Sequence, residues 1–197
     1  MKSKTKYIKL FEAFSKTKIT IFDIDDTLVI TKALIRVKDN KTGKEFTLTP
    51  EEFNKYEQEP HHEIDYSDFD DADILKAGRL VEWVLNILIE TYKKERAVGI
   101  ITARANKAAI MEFLAYHGLR INPGFVFAVN DPSSEFTGNI AERKVQAFEK
   151  FIEMGYTEFK FFDDDKKNIQ SAKELEKTHG INMKAKLITP GWYRKLK

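Results

Sequence analysis

The sequence predicts an α/β fold in which a parallel sheet is covered by helices on both faces and carries a small insert after its first strand. Three observations predict it. Short apolar, β-branched or aromatic runs recur along the chain and alternate with segments whose apolar residues repeat at three and four, the signature of strands alternating with helices. Several of the runs end in carboxylates or a hydroxyl, as strands do where a sheet carries its polar site at the carboxyl edge. One stretch, from about residue 31 to residue 73, breaks the rhythm.

The first strand is read at Lys18 to Ile24, apolar and ending in acids, as a buried strand does. Others are expected at Val98 to Ile101, Phe125 to Val129, Phe159 to Phe162 and Ala185 to Ile188. Helices are expected where Leu80, Val81, Val84, Leu85, Leu88 and Ile89 recur, and again through Ala108, Met111, Phe113 and Leu114, with His117-Gly118 as a stop. A third runs from Glu142 to Ile152 and ends at Gly155; a fourth contains Ile169, Ala172 and Leu175. Within the interrupting stretch, Ala33 to Lys38 and Glu45 to Leu48 flank the turn-rich Asp39 to Gly43, a hairpin pattern. Thr49-Pro50-Glu51-Glu52 then starts a short helix with a capping box. The division expected is a core of residues 1–30 and 76–197 with an insert of residues 31–75.

Composition bounds the function. The chain has 197 residues, and 33 Lys and Arg against 31 Asp and Glu leave a net charge of +2, which gives no electrostatic argument for a polyanionic partner. The charge is uneven: the N-terminus is rich in lysine, Lys184 to Lys197 holds five cations and no acid, and Glu57 to Asp73 holds eight acids and neither Lys nor Arg. There are no cysteines, which excludes disulfides, thiol catalysis and cysteine-bound zinc. No apolar run is long enough for a signal peptide or a bilayer span. The expectation is a soluble, cytoplasmic protein with no membrane partner and no evident protein partner.

Three strand ends and one helix start carry candidate chemistry. After the first come Asp23 and Asp25, which point to the same side of an extended chain, so that one can attack while the other moves protons; the plainer reading is an acidic turn. After the second, Thr102, Ala103 and Arg104 offer a hydroxyl, a backbone N–H and a bidentate guanidinium to a phosphate, although a threonine before a helix is commonly an N-cap. Lys144, near a helix start, can neutralise a transferring phosphoryl group; most helical lysines are solvated instead. After the fourth strand, Asp163, Asp164 and Asp165 crowd like charges in a way that a magnesium ion would relieve, against the alternative of a solvated acidic loop.

In this order, Asp23-x-Asp25-x-Thr27, Thr102, Lys144, and Asp163-Asp164 with Asn168 resemble the four motifs of the haloacid dehalogenase superfamily, over nearly all of the chain except the termini and the insert. The resemblance implies a Rossmann-like three-layer core with a cap, and a Mg²⁺-dependent phosphatase with Asp23 as nucleophile and Asp25 as general acid and base. It implies metal held by Asp23, the Asp25 carbonyl and a fourth-motif acid, Asp164 ahead of Asp163, with Asp165 capping the next helix. Thr102, Ala103, Arg104 and Lys144 would bind the phosphoryl group. Asp26 stands where many members have glycine, and Asn168 where many have a second aspartate. Receiver domains use similar residues in a different order. A non-catalytic phospholigand-binding module and a phosphotransferase are the alternatives.

The small cap and the motif wording are similar to those of polynucleotide 3′-phosphatase domains and phage-type phosphatases, so nucleotides, nucleic-acid 3′-phosphate ends and other small phosphomonoesters all stay open as substrates. The acidic strip argues against a polyanion, unless it is simply a solvated face. His61 and His62 are expected to point opposite ways as exposed loop residues without a third ligand. Trp192 and Tyr193 are expected to dock the C-terminal tail or to stack on a base.

Overall fold

A computed structural model of the chain describes residues 17–53 and 55–189. The basic N-terminal stretch, Trp192 and Tyr193 lie outside the described residues. The core is a five-stranded, all-parallel sheet in the order β10-β9-β1-β7-β8. Its strands are β1 (Lys18–Phe22), β7 (Ala97–Thr102), β8 (Val126–Ala128), β9 (Glu158–Asp163) and β10 (Asn182–Leu187). The register runs Ile19↔Ala97 to Phe22↔Ile100 on one side of β1, and Lys18↔Glu158 to Phe22↔Phe162 on the other.

Helices cover both faces. On one, α3 (Glu82–Lys93) and α4 (Lys107–Tyr116) bury Val84, Leu85, Leu88, Ile110, Phe113 and Leu114 against Phe22, Val98, Ile100 and Phe162. On the other, α5 (Ile140–Glu153) and α6 (Lys166–His179) bury Phe148, Phe151, Ile169 and Leu175 against Ile19, Ile21, Ile101, Phe159 and Phe161. Successive strand residues alternate between these two cores, as a pleated chain buried on both faces requires. Gly99 faces Phe151 so closely that a Cβ there would lie 2.7 Å from the ring. That position tolerates no side chain without repacking.

The insert forms its own three-stranded antiparallel sheet, β4-β3-β5, from β3 (Ile35–Asp39), β4 (Glu45–Leu48) and β5 (His62–Asp65). The hairpin and the short helix α1 (Pro50–Phe53) follow expectation. The Thr49 hydroxyl accepts the Glu52 N–H at 3.3 Å, while the Glu52 carboxylate accepts the Thr49 N–H at 2.8 Å. Two two-residue strands, β2 (Val29–Ile30) and β6 (Arg79–Leu80), pair antiparallel and close the neck of the insert. The helix expected from Leu80 therefore starts two residues later, because Leu80 is used in this ladder. A short helix, α2 (Ala72–Lys76), capped by Asp71, precedes β6. No helix among the described residues is long and apolar enough to cross a membrane.

The acidic strip is not a uniform solvated face. Arg36 on β3 pairs with Asp68 at 2.6 Å and with Asp65 at 3.5 Å, and Asp68 also accepts the Leu34 N–H at 3.0 Å. Part of the strip is thus tied down to the insert.

Candidate functional site

The carboxyl ends of β1, β7 and β9 meet at the middle of the sheet. The ladder extends one step beyond the strands, since the Asp23 N–H donates to the Phe162 carbonyl at 3.0 Å. Asp23 and Asp163 are therefore adjacent strand ends, and both are buried. Just past β1 the chain turns sharply: the Ile24 carbonyl accepts the N–H groups of Thr27, Leu28 and Val29, and Asp26 adopts a left-handed conformation at φ 54°. Aspartate tolerates that region better than most side chains, so an acid can hold this turn.

Lys144 is the hub. It lies in the second turn of α5, whose start is held by a reciprocal capping box between Asn139 and Glu142. Its Nζ donates to Asp23 Oδ1 at 2.9 Å and to Asp163 Oδ2 at 2.7 Å, with the three side chains 4 %, 6 % and 0 % exposed. A helical lysine this deeply buried is held by charge, not solvated. Burial works against its charge most strongly, yet attraction and hydrogen bonds to Asp23 and Asp163 outweigh it together and hold its pKa above the ordinary value.

The acids bear the opposite strain. Burial is the main cause pushing the Asp23 pKa up to about 7; Lys144 pulls it down, while Asp163 and Asp25 push further up. Asp164 is pushed up to about 8, first by burial and then by repulsion from Asp23, Asp163 and Asp26. One ammonium cannot neutralise this many carboxylates, so the shortage of positive charge falls on Asp23 and Asp164. Such a set of hard oxygen donors suits a divalent cation that takes few protein carboxylates.

The three consecutive acids after β9 divide their tasks because their side chains point different ways. Asp163 turns inward: Oδ1 accepts the Asp165 N–H and Asn168 Nδ2, and Oδ2 accepts Lys144. Both oxygens are engaged and the side chain has no exposure, so Asp163 supports Lys144 and Asn168. Asn168 bonds Asp163, not Asp164. Asp165 caps α6 through the Lys167 N–H at 2.6 Å, as expected. Asp164 lies beside Asp23, where burial and repulsion from its neighbours outweigh the attraction of Lys144.

Arg104 departs furthest from expectation. Its guanidinium grips Asp25 bidentately, at 2.9 Å from Nε and 2.7 Å from Nη2, and its Nη1 donates to the Phe69 carbonyl. The side chain is 1 % exposed, against 32 % for Asp25. The guanidinium expected at a phosphate is here engaged by the Asp25 carboxylate and the Phe69 carbonyl. The Phe69 ring also lies 5.6 Å under the guanidinium carbon, and Asn106 Nδ2 donates to the Asp70 carbonyl at 2.8 Å. Residues 69 and 70 at the end of the insert are thereby fastened to the segment after β7. No motif in the chain signalled Phe69 or Asp70: Asp70 contributes its backbone carbonyl, and Phe69 a carbonyl and a ring that any apolar position could supply.

Thr102 ends β7 fully buried, and its hydroxyl accepts the Arg104 N–H at 3.4 Å. It is not the cap of the next helix, a role Asn106 takes by accepting the Ala109 N–H. Ala103, between Thr102 and Arg104, is half-buried.

His61 and His62 do not point apart. His61 precedes β5 in a turn, where strand alternation does not apply, and the two rings lie 4.6 Å apart beside Asp39.

No protein-family model and no curated protein matches the chain. Among solved structures, the chain is similar to a hypothetical protein from Xanthomonas campestris, at 14% identity and a TM-score of 0.32. That match covers 83% of this chain and 63% of the other. A likeness so low carries no argument about fold or activity.

Proposed function

We propose that the chain is a Mg²⁺-dependent phosphomonoester hydrolase of the haloacid dehalogenase superfamily, working through a phosphorylated aspartate at Asp23. The observation that carries this reading is the buried bridge from Lys144 to Asp23 and Asp163. It joins the ends of two adjacent strands to a helix 121 residues along the chain from Asp23, with Asp164, Asp25 and Thr102 around it.

In this reading an Asp23 carboxylate oxygen attacks phosphorus in line, and the bond to the leaving oxygen breaks as Asp25 supplies it a proton. Water then attacks the aspartyl-phosphate, giving its proton to Asp25; Asp23 is regenerated and inorganic phosphate leaves. Lys144 fixes the rotation of the Asp23 carboxylate through Oδ1 and offsets its charge. Thr102 and the backbone of Ala103 are assigned to the phosphoryl oxygens. Asp23, Asp164 and the Asp25 carbonyl would hold Mg²⁺, which when bound would neutralise charge on the phosphoryl oxygens. Arg104 sets the orientation of Asp25 and does not touch the substrate. Catalysis is then mainly positioning and electrostatics, as phosphoryl transfer requires.

The test is phosphate release from an aryl phosphate with Mg²⁺, with a chelator, and by Asp23→Asn. Turnover is expected only with the metal and the intact aspartate. A panel of nucleotides, 3′-phosphorylated oligonucleotides and sugar phosphates, with added alcohols as competing acceptors, then separates hydrolase from phosphotransferase. It also separates small substrates from nucleic-acid ends.

A further inference from the structure

The tip of the insert carries a cluster that the proposed reaction does not use. Asp39 ends β3 and is paired in register with His62, the first residue of β5, while His61 sits in the turn just before it. One ring nitrogen from each histidine and one carboxylate oxygen of Asp39 all lie within 4.8 Å of one another. His61 Nε2 is 3.5 Å from Asp39 Oδ1, so the ring and the carboxylate are close neighbours.

Two of the three groups, His62 and Asp39, are held in place from behind. His62 Nδ1 meets the Tyr56 hydroxyl at 2.5 Å and the Glu59 N–H at 3.1 Å, and its ring stacks on Tyr56 at 5.7 Å between centroids. Asp39 Oδ1 accepts the N–H groups of Lys41 and Thr42, and Oδ2 accepts the Thr42 hydroxyl at 2.6 Å. Oδ2 keeps a lone pair, since a carboxylate oxygen accepts more than one bond. For Nε2 to ligate, His62 takes the Nδ1–H tautomer and donates to the Tyr56 hydroxyl in place of accepting the Glu59 N–H, the arrangement in which a ligating imidazole is oriented by its other ring N–H. The three residues are half-buried, so the cluster is both shaped and reachable.

We propose that Asp39, His61 and His62 form a transition-metal site, with Zn²⁺ as the fitting ion and water completing its coordination. Two imidazoles and a carboxylate suit zinc, whereas Mg²⁺ takes oxygen ligands and avoids imidazole. The ion ties the turn after β3 to the start of β5 and locks the insert's sheet at its tip. The chain has no cysteine and only two other histidines, His117 and His179. His179 lies on α6 beside Glu149, and His117 packs against Phe113 at the end of α4. The site is separate from Asp23 and Asp164, and it stands or falls without the proposed phosphatase reaction.

The experiment is calorimetric titration of the untagged full chain with Zn²⁺ in saturating Mg²⁺, alongside Asp164→Asn to remove any zinc bound at the carboxylate cluster. One equivalent with micromolar or tighter affinity is expected in both proteins. His61→Ala and His62→Ala should each weaken it at least tenfold, and His179→Gln should leave it unchanged. Titration with Co²⁺ should give visible bands of an imidazole-bound, four-coordinate ion, lost in His61→Ala. Absence of an equivalent that survives Asp164→Asn, or binding indifferent to both His61→Ala and His62→Ala, overturns the proposal.

Discussion

Lys144→Met keeps the unbranched stem, one atom shorter, and removes the charge, which makes it the sharpest probe of the cluster at the sheet edge. The ammonium makes two charge-assisted hydrogen bonds, at 2.9 Å and 2.7 Å, to carboxylates that are almost wholly buried. Removing one partner from a buried ion pair costs about 3–5 kcal/mol, because the remaining charge is left uncompensated. Asp23 already has its pKa raised to about 7 by burial, and without Lys144 it rises further. At pH 5.5 Asp23 can take a proton, so the loss should shrink to that of two hydrogen bonds, about 2 kcal/mol. At pH 8 Asp23 must take up a proton against the solution or stay charged, so the loss moves toward the upper figure, and at about 2–4 °C per kcal/mol for a domain of this size it lowers the melting temperature by roughly 10 °C. Urea unfolding of both proteins followed by circular dichroism at pH 5.5 and pH 8 measures the difference. Equal stability at pH 8, or a greater loss at pH 5.5, would refute the electrostatic account of the cluster.

Three further outcomes follow from named contacts. Asp164 and Asp23 have pKa values raised to about 8 and about 7, so between about pH 4 and pH 8 the folded chain binds more protons than the unfolded one. By linkage, the stability of the metal-free protein falls as pH rises through that window; melting curves at pH 6 and pH 8 in chelator should show the decline, and Mg²⁺ should reverse it at pH 8. Arg104→Gln removes the bidentate grip on Asp25 and the tie to Phe69. It should lower kcat at least tenfold with less change in KM, and raise amide exchange in residues 67–71, read by mass spectrometry. Gly99→Ala places a Cβ 2.7 Å from the Phe151 ring; overpacking of this kind should cost about 1–3 kcal/mol in urea unfolding.

The core strands are legible because each is a compact apolar run bounded by turn or helix signals, and a strand buried on both faces has no other composition to adopt. The edge strand β10 is polar on alternate residues and starts earlier than its apolar end suggests, at Asn182. β5 escapes because His62-Glu63-Ile64-Asp65 has a single apolar residue and alternates between half-buried and exposed positions. β2 and β6 are two residues each and exist only as partners of one another. Among site residues, Asp23 and Asp25 are marked by the strand they follow. The division of labour among Asp163, Asp164 and Asp165 is partly legible, since the cap role of Asp165 follows from local chain geometry. Lys144 is different: nothing local separates it from a solvated lysine, and its burial depends on α5 crossing the ends of β1 and β9. The same holds for Arg104, whose partner Asp25 is 79 residues away.

In the proposed mechanism Asp23 itself becomes phosphorylated during turnover. Acid quenching of the protein with an aryl phosphate and Mg²⁺, followed by borohydride reduction and peptide mass spectrometry, reads this directly, because reduction of an aspartyl-phosphate leaves homoserine. Homoserine at position 23, absent without substrate and absent in Asp23→Asn, is the expected result. Phosphate release with Asp23 unmodified, and undiminished in the Asn variant, would contradict it.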